Sequence, residues 1–568
     1  MAELRLPTIS EAFYETCAKF ASRPAQRFNP DLYIDENQGC LTYQELQQRV
    51  ERIAFGLLAL GFEKGQRAAI MSNNSPNWTQ ADYAIINSGG VTVTIYPSLS
   101  LNEVSYIVND SMSQFLFVGN EDTLQRILAG SDGMPSLKKI IVLDMKFAKE
   151  NQKVIGLQQL IKIGESQRAT VSELYQERWK GNTLEDWFSI IYTSGTTGQG
   201  KGAILTHRTF ASRAINTLIT FSQTAISINE ESVCLSFLPL SHIFERGCGE
   251  LIALYTGACV AYADSPSTML ADMRKYQPTW INCVPRLYER IFITVREQMS
   301  ASKIKGFIFR VAMGIGDKVL TYRTDTEGRI NMSPEYDVRK HLPLFLKLGY
   351  LLADRLVFAK VRNIFGGKLQ HTFTASAGIS PKLLKTFYIM GIPVVEGYGL
   401  TETCTACNVN PLQALKPGKV GPAANGSFGK VAEDGEYLVS GAGMFIGYLN
   451  KPEETAEAFT EDGWFRTGDL VEMDEDGYVK IVDRKKAIIC LSTGKNIAPA
   501  KIEVQFSTSS KVEQVFIIGD ERKYIAALIV PNFDYFMRLF EREQISFDRS
   551  KLVYSKASGA SVCIEVGE

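Results

Sequence analysis

Histidine is scarce in this chain, and most other shortcuts to a function are missing as well. Four histidines occur in 568 residues, so a lone one carries little weight as a metal ligand. An excess of charge of either sign is missing: 61 lysines and arginines stand against 62 aspartates and glutamates. That balance gives neither a basic field to gather nucleic acid nor an acidic solvating tail. There is no disulfide framework, because the ten cysteines are scattered. Cys404 and Cys407 form a C-x-x-C with no second pair or nearby histidine, and read as reduced thiols. The opening MAELRLPTISEAFYETC holds Glu3, Arg5, Glu11 and Glu15, which interrupt any secretory h-region, so a cytoplasmic chain is expected. The most apolar long segment, residues 341–361, is broken by Lys347, Asp354, Arg355 and Lys360, too many charges for a spanning helix. It reads as a long amphipathic helix packed on its own domain, with peripheral contact at a membrane surface as the alternative.

What is present is length and alternation. A chain of 568 residues exceeds one hydrophobic core and implies roughly two to four domains. Short apolar runs alternate with helical patterns, the sign of parallel sheets covered by helices. LTYQELQQRVERIAFGLLALG opens with a capping box, Thr42 and Glu45, carries Leu46, Val50, Ile53 and Leu57 at helical spacing, and stops at Gly61. VTVTIYP, QFLFVG, KIIVLD and DWFSIIY read as strands. A glycine-rich loop and a helix with Phe210, Ala214, Leu218 and Phe221 on one face follow, so the loop is expected to join a strand to a helix. After about residue 420 the signals turn antiparallel, with hairpin turns at Asp434-Gly435 and Asp476-Gly477. The polar cluster VDRKKA then marks a boundary, dividing a large domain, 1–483, from a small one, 484–568, with its own strands in EQVFIIG and YIAALIVP and a helix in FDYFMRLFERE.

The loop YTSGTTGQGKG, residues 192–202, fits two chemistries. Gly195, Gly200 and Lys201 match the G-x-x-x-x-G-K of P-loop nucleotidases, but Gly202 stands where a serine or threonine should hold magnesium. Four further stretches suit a nucleoside triphosphate attacked at its α-phosphate. EGYGLTET, residues 396–403, offers the Tyr398 ring, the Thr401 hydroxyl and Glu402, a carboxylate able to hold a divalent cation. WFRTGDL offers Asp469, which can accept two bonds from a ribose diol or cap a turn, and IVDRKKA offers Arg484, a planar fork for ribose or phosphate oxygens. LSTGKNIAP supplies Gly494, a flexible point in the small domain.

Taken together, these stretches resemble the adenylate-forming superfamily of acyl-CoA synthetases, luciferases and peptide-synthetase adenylation domains, in that family's order. Gly200 replaces the family's usual proline, and this creates the P-loop coincidence. LPLSHIFER, VPRLYERI, ADRLVFAKVRNIFGGKL and TGKNIAP look most like long-chain fatty acyl-CoA synthetases. The resemblance implies an α/β fold: a large domain of parallel-rich sheets flanked by helices, a β-rich subdomain, and a small mobile α+β domain. It implies an AMP-forming ligase taking a fatty acid, ATP, Mg2+ and coenzyme A. Thr193, Ser194, Gly195, Thr196, Thr197 and Gly198 would cradle phosphate, and Lys201, Thr401 and the metal-holding Glu402 would carry catalysis. Ser376, Ala377 and Gly378 of FTASAGIS would lie against adenine, beside Glu396, Gly397, Tyr398 and Gly399, with Asp469 and Arg484 at the ribose. His242 would line the acyl pocket, Lys486 would be the hinge, and Gly494 would line the pantetheine tunnel, while Arg286 has no assigned role. Ala487 replaces an acidic residue common after the hinge, and no family-type lysine stretch resembling LTPTLK follows FDYFMRLFERE. The small domain therefore reads as truncated, which makes a catalytically weakened acyl- and nucleotide-binding relative the alternative to a full ligase and leaves a P-loop nucleotidase as the remote one.

Overall fold

In the computed structural model the capping box starts its helix as the residues require. Thr42 accepts from the Glu45 backbone N–H, Glu45 accepts from the Thr42 N–H, and helix Tyr43–Ala59 follows with Leu46, Val50, Ile53 and Leu57 buried. Gly61, at φ 82°, supplies the left-handed residue that ends it. The structure describes residues 5–33, 39–149, 151–193, 199–300, 302–492, 496–506 and 509–543. Ser194, Gly195, Thr196, Thr197, Gly198, Gly494 and residues 544–568 lie outside them.

Two eight-stranded sheets form the frame. In one, Trp187–Thr193, Val91–Ile95, Arg67–Met71, Phe115–Val118, Lys139–Val142 and Val154–Gly156 run parallel. The other is parallel from Val394–Leu400 through His371–Thr374, Trp280–Cys283, Val233–Ser236 and Cys259–Tyr262 to Pro24–Arg27. Their apolar runs are buried on both faces, as parallel strands covered by helices must be. Helix Pro76–Asn87 is buried along its whole length. Core side chains from both sheets belong to one continuous cluster.

A four-stranded antiparallel sheet, Ser427–Val431, Glu436–Gly441, Phe465–Met473 and Val479–Arg484, follows. Its hairpins turn at Gly435 and Gly477, at φ 84° and 77°. Beyond it, Val512–Ile518 pairs with Ala526–Pro531 beside helices Pro499–Phe506 and Phe533–Arg542. This is the expected mixture of a parallel-rich α/β part with β-rich and α+β parts.

Two expectations need correction. Residues 194–198 connect antiparallel strands, Trp187–Thr193 and Lys201–Thr206, and helix His207–Gln223 begins only after the second. The loop thus closes a hairpin and does not lead into a helix. Residues 341–361 are also not one packed helix. Helix Leu344–Ala353 passes through a π turn, Asp354–Phe358, into Ala359–Arg362, and its burial is concentrated at Ala353, Val357, Phe358 and Val361. No helix among the described residues is long and apolar enough to cross a membrane.

Candidate active site

Lys201 opens its strand as the register partner of Thr193. A Cβ on Gly202 would come within 2.9 Å of the Ile190 Cγ2 and 3.0 Å of the Tyr192 ring. The missing P-loop hydroxyl is therefore excluded by the packing of the hairpin itself. On the far side of this hairpin, the edge strand Gly447–Tyr448 pairs with Ala203 and Ile204. That pairing brings Tyr448 to the site: its hydroxyl donates to Glu402 Oε1 at 2.7 Å, and Lys201 Nζ stands 5.2 Å from its ring centroid. Burial and the adjacent carboxylate push the Tyr448 hydroxyl far up, so it remains a donor. The sequence reading missed Tyr448, because GYLN carries no local signal.

Glu402 sits on a turn with little freedom. Thr403 Oγ1 accepts from the Leu400 N–H at 2.8 Å and donates to the Thr405 carbonyl at 2.7 Å. The Glu402 carbonyl accepts from the Phe445 N–H at 2.8 Å, and the Thr403 carbonyl from Arg213 Nε at 3.0 Å. These bonds hold Cys404 at φ 50° and the β-branched Thr405 at φ 100°. Such conformations cost on the order of 1–3 kcal/mol each and persist where the surroundings over-determine them. A Cβ on Gly399 would lie 2.0 Å from the Thr405 carbonyl oxygen, so only glycine lets this strand pair close. Gly397 carries no such constraint. Thr401 is buried beside Glu402. Cys404 and Cys407 are free buried thiols, raised by burial to about 12 and about 11, as expected of inert cysteines.

Asp469 and Arg484, separate in the sequence, are direct cross-strand partners. Asp469 Oδ1 receives Arg484 Nε at 2.9 Å and Oδ2 receives the Tyr398 hydroxyl at 2.6 Å. Burial raises the Asp469 carboxyl, against the opposing pull of Arg484 and Tyr398. A carboxylate has about four lone-pair directions, so two further donors such as a diol can be accepted. Glu396 is different. Its carboxyl accepts from the Gly418 N–H at 3.0 Å and from Asn410 Nδ2 at 3.4 Å, and burial lifts it well above the carboxylate range. It fastens the 410–418 loop and has no side-chain place in the cavity wall.

Beside Tyr398 lies a cavity of ≈ 50 Å³ whose wall includes Ser376, Gly397, Tyr398, Gly399, Phe373 and His242. His242 caps its short helix, accepting at Nδ1 from the Phe244 N–H at 3.0 Å, and burial lowers it, so it is neutral at pH 7. Ser376 stands at φ 72°; Ala377 is exposed; Gly378 faces Val504 of helix Pro499–Phe506. Thr374, beside FTASAGIS, was overlooked. Its Oγ1 is buried at the cavity wall without a partner, an unused polar contact for a ligand. Arg286 joins helix Pro285–Ser300 to Glu513 on strand Val512–Ile518 at 2.6 Å.

Behind His242, Glu245 is fully buried with Oε2 accepting from Asn282 Nδ2 at 3.2 Å. Burial pushes its carboxyl up to about 8. The folded chain therefore holds a proton that the unfolded chain has lost, and stability should fall as pH rises from the ordinary carboxylate range towards 8, levelling above it. The slope from this group is at most about 1.4 kcal/mol per pH unit. Glu245→Gln should flatten that slope in urea titrations across the range; an unchanged slope would show that Glu245 titrates normally.

The structure thus pairs Thr193 with Lys201 and links Lys201 through Tyr448 to Glu402, next to Thr401, while Tyr398, Asp469 and Arg484 are joined to one another, with Lys486 in the turn after Arg484. The family described as AMP-binding enzyme matches residues 13–449, and the AMP-binding enzyme C-terminal domain matches residues 486–547. The long-chain-fatty-acid–CoA ligase FadD15 of Mycobacterium bovis is 32% identical over 522 residues, covering 92% of this chain and 80% of that one. Long-chain-fatty-acid–CoA ligase 1 of Homo sapiens is 29% identical over 526 residues, covering 88% of this chain and 70% of that one. The solved Mycobacterium tuberculosis fatty acyl CoA synthetase shares the fold, with a TM-score of 0.61 at 22% identity over 95% of this chain and 92% of that one. With its strands, its turn and its paired Asp469 and Arg484 in the family's order, the chain belongs to the AMP-binding enzymes, as an adenylate-forming member of the long-chain acyl-CoA synthetase kind.

Proposed function

We propose that this protein joins a long-chain fatty acid to coenzyme A through an acyl-adenylate. The fatty carboxylate oxygen bonds to the α-phosphorus of ATP as the bond to pyrophosphate breaks; the thiol sulfur of coenzyme A then bonds to the acyl carbonyl carbon, and AMP leaves. The observation that carries this reading is that Tyr398 and Glu402, four residues apart on the chain, link two sets of charged groups: Tyr398 bonds the Asp469 that pairs with Arg484, and Glu402 bonds the Tyr448 that stands over Lys201. A lysine and a carboxylate for phosphate and metal, close in the chain to a buried carboxylate able to accept a diol, suit a polyphosphate with its ribose. Lys201 would meet phosphate oxygens as charge gathers on them, and Thr401 would donate beside it. Asp469 would orient the ribose diol, and the Tyr398 ring would flank the base.

Magnesium fits the donor set. Glu402 keeps one carboxylate oxygen clear of Tyr448, and no cluster of three or more ligating side chains occurs among the described residues. Magnesium is commonly held by one or two carboxylates together with substrate phosphates, not by an all-protein cage. Bound there, it would neutralise phosphate charge.

The domain division at 483 and 484 is part of this proposal, with Lys486 as the pivot. Lys485, just before it, is tied to Asp434 at 2.6 Å and Glu436 at 3.0 Å, contacts that fasten the chain to the large domain immediately ahead of the pivot. Gly494 is assigned to the coenzyme A passage.

Single-turnover assays with ATP labelled at the α-phosphate and a panel of fatty acids test the reaction. AMP and pyrophosphate should appear only with a fatty acid present, and acyl-CoA only when coenzyme A is added. ADP and phosphate released without fatty acid would overturn the proposal.

A further inference from the structure

The reaction proposed for this site leaves Tyr448 without a role, although its backbone and its ring are both held in place. The flanking Ile446 and Leu449 N–H groups donate to the Ile204 and Gly202 carbonyls at 3.2 and 2.8 Å, and the Tyr448 N–H donates to Thr455 Oγ1 at 2.9 Å. Thr455 Oγ1 in turn donates to the Lys451 carbonyl at 2.8 Å. Gly447 stands at φ 144°, and a Cβ there would come within 2.9 Å of Thr455 Cγ2, so glycine is what lets the chain enter this position. The Tyr448 ring meets the Phe445 ring at a steep angle with centroids 4.8 Å apart, and Phe445 is itself buried against the rings of Phe459 and Phe465.

A side chain held this firmly touches two groups of opposite charge. Its hydroxyl donates to Glu402 Oε1 at 2.7 Å, and its ring centroid lies 5.2 Å from Lys201 Nζ. The carboxylate takes the hydroxyl and the ammonium takes the ring, so neither contact displaces the other. No salt bridge joins Lys201 to Glu402 among the described residues. An ion pair between them would occupy the donors that a phosphate needs and the oxygens that a cation needs.

We infer that Tyr448 is a positioning residue: its hydroxyl fixes the Glu402 carboxylate and its ring seats the Lys201 ammonium, so that the two meet a magnesium–nucleotide without pairing with each other. The inference rests on the nucleotide reading proposed above and assigns the group that keeps its two charges apart. A partner that orients a metal-holding carboxylate commonly sets the affinity for the metal by about 10–100-fold. A ring beside an ammonium attracts it through the π face and takes none of its N–H donors, which stay available for phosphate oxygens.

The test is equilibrium binding, by calorimetry, of an ATP analogue with a methylene bridge between its α- and β-phosphorus atoms, which cannot lose pyrophosphate. Mn2+ is then titrated into the complex of full chain and analogue and followed by electron paramagnetic resonance. Tyr448→Phe keeps the ring and deletes the hydroxyl: cation affinity in the complex should fall about tenfold, while affinity for the metal-free analogue should stay within about twofold of the parent. Tyr448→Leu deletes the ring as well and should also lose about two- to fivefold in metal-free affinity. In a Glu402→Gln background, Tyr448→Phe should bring no further loss of cation affinity, because it acts through Glu402. Thioester formation from supplied acyl-adenylate should fall far less than adenylation does in Tyr448→Phe, whereas a loosened fold would lower both alike. A parent that binds no analogue overturns the nucleotide reading and this inference together. If the parent binds it, the inference alone is overturned by unchanged cation affinity in Tyr448→Phe, by an equal loss in the Glu402→Gln background, or by Tyr448→Leu matching Tyr448→Phe without metal.

Discussion

Glu402→Gln should slow acyl-adenylate formation by about two to three orders of magnitude, a loss of roughly 3–4 kcal/mol of transition-state stabilisation. The substitution keeps the side-chain shape, and the new amide oxygen can still accept the Tyr448 hydroxyl bond that is 2.7 Å long in the parent. The turn around it is held mainly by the Thr403 hydroxyl, Arg213 and the Phe445 N–H, and none of these is touched. What changes is the negative charge beside Lys201 and the capacity to hold a cation against phosphate. Pyrophosphate release in a single turnover reads the first half-reaction. Thioester formation from supplied acyl-adenylate and coenzyme A reads the second, which needs no phosphate neutralisation and should fall much less. Equal losses in both steps would remove the metal-holding role from Glu402.

The elements that the sequence made legible are those fixed by local rules. The Thr42–Glu45 capping box, the Asp434-Gly435 and Asp476-Gly477 turns and the apolar strands each depend on a few neighbouring residues, and each forms where expected. The proposed role of Glu402 likewise came from its motif. Its partner Tyr448 did not, because an edge strand some 250 residues from Lys201 in the chain delivers it, and no local pattern encodes that pairing. The contact of Asp469 with Arg484, only 15 residues further on, was hidden for another reason: it is fixed by the register of a β pair, which no single motif encodes. The glycine loop was misplaced for a related reason: a strand followed later by a helix looks alike in sequence whether or not a second strand intervenes, and only the pairing of Lys201–Thr206 with Trp187–Thr193 decides it. Residues 341–361 show the limit of periodicity in another way. An apolar stripe signals a face to be covered, but not what covers it.

Arg246→Met should cost about 3–5 kcal/mol of folding stability, more than any surface change in this protein. The family resemblance places His242 and its neighbours in LSHIF at the acyl-pocket wall, and His242 and Phe244 line the cavity beside Tyr398. Arg246 does something else. It is fully buried with Asp82, donating Nε and Nη2 to the two carboxylate oxygens at 2.8 and 2.7 Å, while Nη1 donates to Ser189 Oγ at 2.6 Å. Asp82 lies on the buried helix Pro76–Asn87 and Ser189 on strand Trp187–Thr193, whereas Arg246 opens the π turn Arg246–Leu251. One guanidinium thus ties three elements together, flanked by the rings of Trp78 and Phe188 at 5.8 and 5.2 Å. Glu250 is buried nearby, and burial together with Asp82 raises its carboxyl well above the ordinary range. Held neutral, Glu250 leaves one cation facing one anion. Methionine fills similar space but strands the Asp82 carboxylate in a medium that cannot solvate it. Arg246→Lys should recover only part of the loss, since an ammonium cannot serve both carboxylate oxygens and Ser189 with a planar fork. Replacing both partners, Arg246→Met with Asp82→Leu, should restore most of the stability, because the larger penalty is for the charge left unpaired. Urea unfolding midpoints for the three variants decide it: if Arg246→Met costs less than about 1 kcal/mol, or the double variant is no better than the single one, the buried pair is not what fastens these elements.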